Sequence, residues 1–224
     1  MHLMNIVICP GIHSSELTQC FIADLQFSHS PLIFPAEKAP AYSPLHILKF
    51  LLDADSIEPL LFVAFSAGVV GAIGAARLWQ NQGGRIKALI ALDGWGVPLA
   101  GNFPIHRVSH DRLTAWSSAL LDGDSSDNFY ADPAVDHLTL WRSPQTVQGQ
   151  WTPAHKDSRS ISTTAASFIT ALVQRYETSE LSATLDLLRE SGQPSSRSGA
   201  SPRQPFSLGR RELEPPVPSP WGED

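Results

Sequence analysis

The chain has 224 residues, of which 42% are hydrophobic and 17% are charged, and its formal net charge at pH 7 is -6. This composition predicts one globular domain with a sizeable core and leaves residues for a tail. The acidic sequence pI of about 5.7 argues against a nucleic-acid-binding surface, and no stretch is apolar for long enough to span a bilayer. A small molecule is therefore the expected partner, whereas the oligomeric state is left open.

The first residues and the cysteines bear on location and cofactors. Residues 1–4 run directly into a β-rich segment without a basic stretch or a cleavage site, so a cytoplasmic location is expected. Cys9 and Cys20 belong to no C-x-x-C pattern and to no Cys/His pattern with metal-ligand spacing. Both are expected to be small buried hydrophobic residues, and neither a metal nor an organic cofactor is predicted.

Strands and helices alternate from the start of the chain. The β-rich residues 4–9 end at a Pro-Gly turn, and the serines that follow can cap a helix that ends near Leu25. Residues 31–35 predict a second short strand. A Ser-Pro pair then begins a second helix over residues 45–52, with proline at the first helical position. Two strand–helix units therefore precede the central segment.

The central segment begins with residues 60–65, an unbroken apolar run that is typical of a strand buried on both faces of a parallel sheet. Ser66 follows the run directly, and the small residues after it predict a helix that ends at a Gly-Gly pair. Residues 86–93 predict a fourth strand, which is apolar apart from Lys87 and ends at Asp93. This alternation indicates an α/β fold with a mostly parallel sheet flanked by helices.

After Asp93 the pattern is less regular. Residues 94–104 are rich in Gly and Pro, and residues 111–121 predict a short helix, so this part is expected to form a short cap-like insertion over the strand ends. Residues 135–141 alternate like a strand, and residues 161–176 have helical spacing. The sheet is thus expected to gain one strand after the insertion, and the domain is expected to span residues 1–176.

The C-terminal residues 177–224 are expected to be a tail. One more amphipathic helix is predicted at residues 181–188. Residues 191–224 are rich in Ser, Pro, Gly and Arg and have few apolar side chains to bury, so we expect them to be disordered.

The most specific motif surrounds Ser66. Ala64-Phe65-Ser66-Ala67-Gly68 is a G-x-S-x-G pattern with alanine in place of the first glycine. Such a nucleophile elbow lifts a serine oxygen clear of the sheet edge and directs helix amides at the same point. The segment resembles the α/β-hydrolase family, and residues 4–176 resemble a shortened member. The resemblance implies an α/β-hydrolase-like fold and a serine esterase or thioesterase that forms an acyl-serine intermediate.

In that family the catalytic groups follow in the order serine, acid, histidine. The resemblance implies Ser66 as the nucleophile and Asp93 as the orienting acid, since each ends a predicted strand. It implies His155 as the base, because His155 lies between the last predicted strand and the last predicted helix. His110 is the strongest alternative base, since a loop in the insertion could fold over the serine. His137 is less favoured because it falls inside a predicted strand.

Two further assignments follow from position in the family pattern. The oxyanion hole takes one amide from the residue after the serine and one from a loop after an early strand, which implies Ala67 and Ile12. Asp132 and Asp136 are the alternatives to Asp93 for the orienting acid.

Other functions stay open. Residues 66–71 also match G-x-G-x-x-G with serine in the first position, and Asp93 ends the next strand, so a dinucleotide-binding oxidoreductase is an alternative. A non-catalytic hydrolase-like binding module is another. The glycines at positions 68, 71 and 74 are also compatible with close helix packing alone, with Ser66 as an N-cap.

Overall fold

The structure is a computed structural model that describes residues 4–25, 27–54, 56, 59–94, 96–119, 126–154 and 159–191, and of residues 116–119 and 183–191 it describes the backbone alone. Strands and helices are numbered in chain order. The strands are β1 (Asn5–Cys9), β2 (Leu32–Ile33), β3 (Leu60–Phe65), β4 (Ile86–Leu92), β5 (Ile105–Ser109), β6 (Asn128–Ala131), β7 (Gln148–Thr152) and β8 (Ile161–Thr164). The helices are α1 (Ser15–Leu25), α2 (Pro44–Asp53), α3 (Ala67–Asn81), α4 (Arg112–Ala119), α5 (His137–Arg142) and α6 (Ala165–Ser191).

The strands form one sheet in the order β2-β1-β3-β4-β5-β6-β7-β8. The first six strands run parallel, and β7 and β8 extend the sheet with antiparallel pairing. The predicted α/β fold with a mostly parallel sheet is therefore confirmed. The winding reverses between β1 and β3, since β2 lies on one side of this pair and β4 on the other. Ligands of open α/β sheets commonly bind at the carboxyl ends of the strands beside such a reversal.

The side chains of β3 divide the core into two layers, because successive residues of a strand point to opposite faces. Leu61, Val63 and Phe65 belong to the layer that is covered by α1, α5 and α6. Leu60, Phe62 and Ala64 belong to the layer that is covered by α2 and α3. All six residues of β3 are buried, as the unbroken apolar run predicts.

The predicted strand over residues 135–141 is wrong. The structure has helix α5 at His137–Arg142, and the Asp136 carboxylate caps it by accepting a hydrogen bond from the Leu138 amide at 2.9 Å. The expectation of one strand after the insertion is also wrong, since β6, β7 and β8 follow residues 94–121 and β5 lies between the two parts of the predicted insertion. The helix predicted over residues 161–176 begins only at Ala165, because residues 161–164 form the edge strand β8.

The remaining expectations concern two helices, the C-terminal tail and the cysteines. The helix α4 lies within the predicted range 111–121. The helix predicted at residues 181–188 is the C-terminal part of α6, which passes position 176 without a break, whereas residues 192–224 lie outside the described residues. Cys9 is buried as expected, but Cys20 is exposed.

No helix in the described part of the chain is long and apolar enough to cross a bilayer.

Candidate active site

Ser66 occupies the single residue between β3 and α3. Its backbone has φ 53° and ψ -121°, a conformation that residues other than glycine rarely adopt. Such a conformation costs about 1–3 kcal/mol and commonly occurs at functional sites. Ser66 stands at the N-cap position of α3, yet its side chain makes no capping hydrogen bond. A capping role therefore does not account for this serine.

Close main-chain packing fixes the turn around Ser66. A Cβ atom at Gly68 would lie 2.2 Å from the carbonyl oxygen of Cys9 and 2.5 Å from that of Pro10, so the first turn of α3 can approach the end of β1 only with glycine at this position. A Cβ atom at Gly11 would lie 3.1 Å from Cβ of Ser66. The loop after β1 therefore lies directly beside Ser66.

Asp93 follows β4 and is the second residue with a strained backbone at this edge of the sheet, with φ 49°. Its amide donates a hydrogen bond to the carbonyl oxygen of Val108 at 2.9 Å, and its side chain is only 2% exposed. Its Oδ1 atom accepts a hydrogen bond from the backbone amide of His110 at 2.9 Å. A buried carboxylate that is held in this way can orient other groups.

Two imidazole rings meet the second oxygen of that carboxylate. Oδ2 of Asp93 lies 2.8 Å from Nδ1 of His137 and 3.0 Å from Nδ1 of His110. The His137 ring also stacks on Phe65, with ring centroids 4.6 Å apart. The hydrogen bond to Asp93 raises the pKa of His137 above its usual value, partly opposed by burial and assisted by the negative charges of Asp93 and Asp136.

The two histidines differ at Nε2. Nε2 of His110 lies 2.8 Å from Oδ2 of Asp111, whereas Nε2 of His137 has no hydrogen-bond partner among the described residues. Both nitrogens of His110 are thus engaged by carboxylates, while His137 keeps one nitrogen free. Within the same part of the chain, Oγ of Ser66 has no hydrogen bond either.

These groups share the wall of one cavity of about 510 Å³. Ser66, Asp93, His110 and His137 contribute its polar side, and the rest of the lining comes from Ala67, Val70, Val97 and Thr114. The cavity lies at the carboxyl ends of the parallel strands. It can therefore hold a small molecule against the serine, the carboxylate and both imidazoles at once.

The other predicted site residues have separate outcomes. Ala67 begins α3 and lines the cavity, and the role of its amide in an oxyanion hole stays a prediction. Ile12 lies in the loop beside Ser66 and is 77% exposed, and the role of its amide stays a prediction. His155 lies outside the described residues, so its assignment as the base also stays a prediction.

From the sequence, His137 ranked below His155 and His110. The alternating pattern of residues 135–141 predicted a strand, although Asp136 is a favourable N-cap residue and was a signal that a helix could begin there. With a helix in place of the strand, His137 stands at the start of α5 and its ring reaches Asp93.

Asp93, His110 and His137 are also the residues of the site that could hold a metal ion. One nitrogen or oxygen atom from each residue can be chosen so that all three atoms lie within 4.8 Å of one another.

Comparison with known proteins adds little to this geometry. No protein-family model matches the chain, and no curated protein matches it. Among solved structures, the chain matches a Pectobacterium atrosepticum protein with the provisional name of a YdeN-like hydrolase, with 15% sequence identity and a TM-score of 0.38. The match covers 53% of this chain and 72% of that protein. A similarity this low carries no argument about function.

Proposed function

We propose that the protein is a serine hydrolase that cleaves an ester or thioester of a small molecule through an acyl-serine intermediate. The observation that carries this proposal is the shared cavity of Ser66, Asp93 and His137, in which the carboxylate is bonded to Nδ1 of the imidazole and Nε2 has no partner among the described residues. A serine, a base and a group that orients the base are the components of nucleophilic acyl transfer. In chain order they also follow the α/β-hydrolase pattern.

Ser66 is proposed as the nucleophile. Its strained turn between strand and helix has the character of a nucleophile elbow, and its hydroxyl is not engaged elsewhere in the described residues. The positive end of the α3 dipole faces the same point. The amides of Ala67 and Ile12 are proposed to stabilise the oxyanion of the tetrahedral intermediate.

His137 is proposed as the base in place of His155. With Nδ1–H donating to Asp93, the neutral ring carries its lone pair on Nε2. Nε2 would take the proton of Ser66 as the serine oxygen bonds to the carbonyl carbon, and would then protonate the departing alcohol or thiol. Water would hydrolyse the acyl-serine by the same route. The hydrogen bond between serine and histidine is not formed in the structure, and such bonds often tighten only when substrate is bound.

The cavity lining indicates the class of substrate. Val70 and Val97 provide apolar surface beside the reacting groups, and Thr114 provides a hydroxyl. No lysine or arginine side chain lines this cavity within the described residues. An uncharged, mainly apolar acyl group of modest size therefore fits better than a phosphorylated substrate.

The two alternative functions receive less support. The glycines at positions 71 and 74 are accounted for by contacts with Ala41 and Pro44, since a Cβ atom would lie 2.2 Å from the Ala41 carbonyl oxygen and 2.4 Å from the Pro44 ring. The Asp93 carboxylate is engaged by two imidazoles and is not free for a ribose. A binding module without activity would not need a strained serine beside an oriented histidine.

Labelling with a fluorophosphonate tests the proposal, because this reagent traps an activated serine as a covalent adduct. We expect one adduct, which mass spectrometry maps to Ser66 and which Ser66→Ala abolishes. Ser43→Ala is the matched control, since Ser43 also stands at a helix N-cap and its Oγ lies 2.8 Å from Nδ1 of His46, but on the exposed surface. Labelling at Ser43 or at another serine, or none in the folded protein, would contradict the proposal.

A further inference from the structure

The proposed triad uses one histidine, whereas the carboxylate of Asp93 contacts two. Nδ1 of His137 and Nδ1 of His110 approach the same oxygen, at 2.8 and 3.0 Å. Two imidazole nitrogens and one carboxylate oxygen form a donor set that binds zinc in proteins, with a fourth position open to water or substrate. The ligands of a tetrahedral zinc ion are about 3.4 Å apart, as follows from bond lengths of roughly 2.0–2.2 Å. The ion would therefore fit if the distances from Oδ2 of Asp93 to the two Nδ1 atoms increased by about 0.5 Å.

The surroundings of His110 provide a second, independent observation. A metal-ligating histidine commonly donates its other ring N–H to a carboxylate, which fixes the tautomer and the orientation of the ring. Asp111 is in that position, with Oδ2 at 2.8 Å from Nε2 of His110. The Asp111 carboxylate is itself held by the backbone amide and the hydroxyl of Thr114, at 2.6 and 3.1 Å. The Thr114 amide contact makes Asp111 the N-cap of α4, which fixes its carboxylate where the group behind a ligating histidine would stand.

The Asp93 carboxylate is also fixed in position, and both imidazole rings can be reached from solvent. Oδ1 of Asp93 is occupied by the His110 amide, which directs Oδ2 towards the two rings. The side chains of His110 and His137 are 27% and 41% exposed and line the cavity, so an ion can reach the nitrogens from solvent.

We propose that Asp93, His110 and His137 form a binding site for a divalent cation of the zinc type, and that the bound cation inhibits the hydrolase. The binding does not depend on the function proposed above, whereas the inhibition rests on it.

The inhibition follows from the tautomer of His137. As a base, His137 carries its proton on Nδ1, donates it to Asp93 and offers the Nε2 lone pair to Ser66. As a metal ligand through Nδ1, it must carry its proton on Nε2. That tautomer cannot accept the proton of Ser66, and the metal also occupies the carboxylate that orients the ring. Catalysis and metal binding therefore exclude each other.

Calorimetric titration of the metal-free full chain with ZnCl₂ tests the site. We expect one binding event for zinc and none for MgCl₂, because magnesium prefers oxygen ligands. Asp111→Asn should weaken zinc binding roughly tenfold to a hundredfold, which is the usual effect of losing a carboxylate behind a ligating histidine. Asparagine can still cap α4, so the fold should persist. His110→Gln removes a ligand and should weaken binding further.

The matched control is Asp53→Asn, which removes one carboxylate from an exposed pair with Lys49 at the end of α2 and should leave zinc binding unchanged. Melting curves without metal verify that each variant is folded. Absence of zinc binding in the parent chain, or binding that neither Asp111→Asn nor His110→Gln weakens, would overturn the site.

The rate of fluorophosphonate labelling at Ser66 tests the inhibition. At one zinc concentration near the dissociation constant of the parent chain, zinc should slow labelling of the parent and affect Asp111→Asn far less, with each rate expressed relative to the same protein without metal. A chelated protein that labels only after zinc is added would overturn the inhibition and indicate a metal-dependent reaction. If zinc binds as expected but Ser66 is never labelled, the site stands and the serine hydrolase proposal fails.

Discussion

Among the described residues, two clusters join an aspartate to histidine, and they lie at opposite ends of the parallel strands. One is the cluster around Asp93 at the carboxyl ends. The other, the amino-end cluster, consists of His106, Asp127, Arg175 and Tyr176 near the starts of β5 and β6. In the amino-end cluster, Nδ1 of His106 donates to the Asp127 carbonyl oxygen at 2.8 Å, and the Tyr176 hydroxyl donates to Nε2 at 2.7 Å. Arg175 contacts the Asp127 carboxylate at 2.5 Å.

The two clusters differ in whether their imidazole nitrogens all have hydrogen-bond partners and in whether their backbones are strained. Both nitrogens of His106 have partners, and burial lowers the pKa of this histidine and raises that of Tyr176 to about 12, so both remain neutral and bonded. At the carboxyl ends, two residues have strained backbones, Nε2 of His137 has no partner in the part of the chain that the structure describes, and a cavity is adjacent. A satisfied network stabilises a fold, whereas strain beside unpaired groups points to function. Substitutions at the two ends should therefore change different quantities.

The largest expected effect is on the rate of Ser66 acylation, when residues at the carboxyl ends of the strands are changed. Loss of a general base commonly reduces the rate about a hundredfold to ten-thousandfold, and we expect this for His137→Ala in the acylation of Ser66 by an activated ester. His110→Ala should cost far less, because Nε2 of His110 is engaged by Asp111. His155→Ala decides whether the base predicted from sequence has a role. A nearly inactive His155→Ala protein with an active His137→Ala protein would restore the sequence-based assignment.

The next effect is on stability at the amino ends. Tyr176→Phe leaves Nε2 of the buried His106 without its donor, and an unsatisfied buried polar group costs about 1–3 kcal/mol. We expect a loss of this size in the free energy of unfolding, measured by denaturant titration, with no change in the rate of Ser66 labelling. Tyr42→Phe, at an exposed tyrosine, is the control and should change neither. If Tyr176→Phe changed the labelling rate but not the stability, the amino ends would not have the purely structural role that we assign to them.

A smaller effect concerns pH. Because burial lowers the pKa of His106 in the folded protein, the unfolded chain binds a proton more readily, and the contribution of His106 to stability is lost as pH falls below about 6.5. His137 contributes with the opposite sign, since its pKa is raised on folding. The comparison of the parent chain with His106→Gln isolates the first contribution. We expect the variant to lose less stability than the parent between pH 8 and pH 5.5. An equal loss in both would contradict a role for His106 in this dependence.

The smallest effect is expected from removing residues 192–224. Ordering a backbone costs about 1–2 kcal/mol per residue, and this segment has few apolar side chains to offset that cost. Thermal melts of the full and shortened chains should therefore coincide within error, as should their labelling rates. A clear fall in melting temperature would show that the segment packs on the domain.

The sequence predicted the half of the sheet in which strands are long and apolar. β3 is a continuous apolar run and β4 is apolar apart from Lys87, so both can be predicted without knowledge of their neighbours in the sheet. Ser66 and Asp93 could be singled out because each directly follows one of these strands. β5 contains His106 and Arg107, and β6 has only four residues, so their strand structure depends on pairing with β4 and with each other. Such distant pairing leaves no local pattern.

The histidines were harder to predict for a related reason. The segments that carry His110 and His137 are joined by a hydrogen bond from the amide of Val135 to the carbonyl oxygen of His110 at 3.0 Å. These two residues are far apart in the chain. The six residues of α5 are also too few to display helical periodicity. Sequence could therefore place Ser66 and Asp93 at one edge of the sheet, but which histidine reaches Asp93 depends on these contacts.

The turn at Ser66 also indicates how its motif should be searched for in other sequences. Main-chain oxygens at 2.2 and 2.5 Å from a hypothetical Cβ atom exclude any side chain at Gly68. Ala64, in contrast, is a buried strand residue whose neighbours across the sheet are Cys9 and Ala91, both small, and its methyl group is accommodated. A search pattern that requires glycine at both positions rejects this chain, whereas a pattern that fixes only the second glycine and allows any small residue at the first retains it.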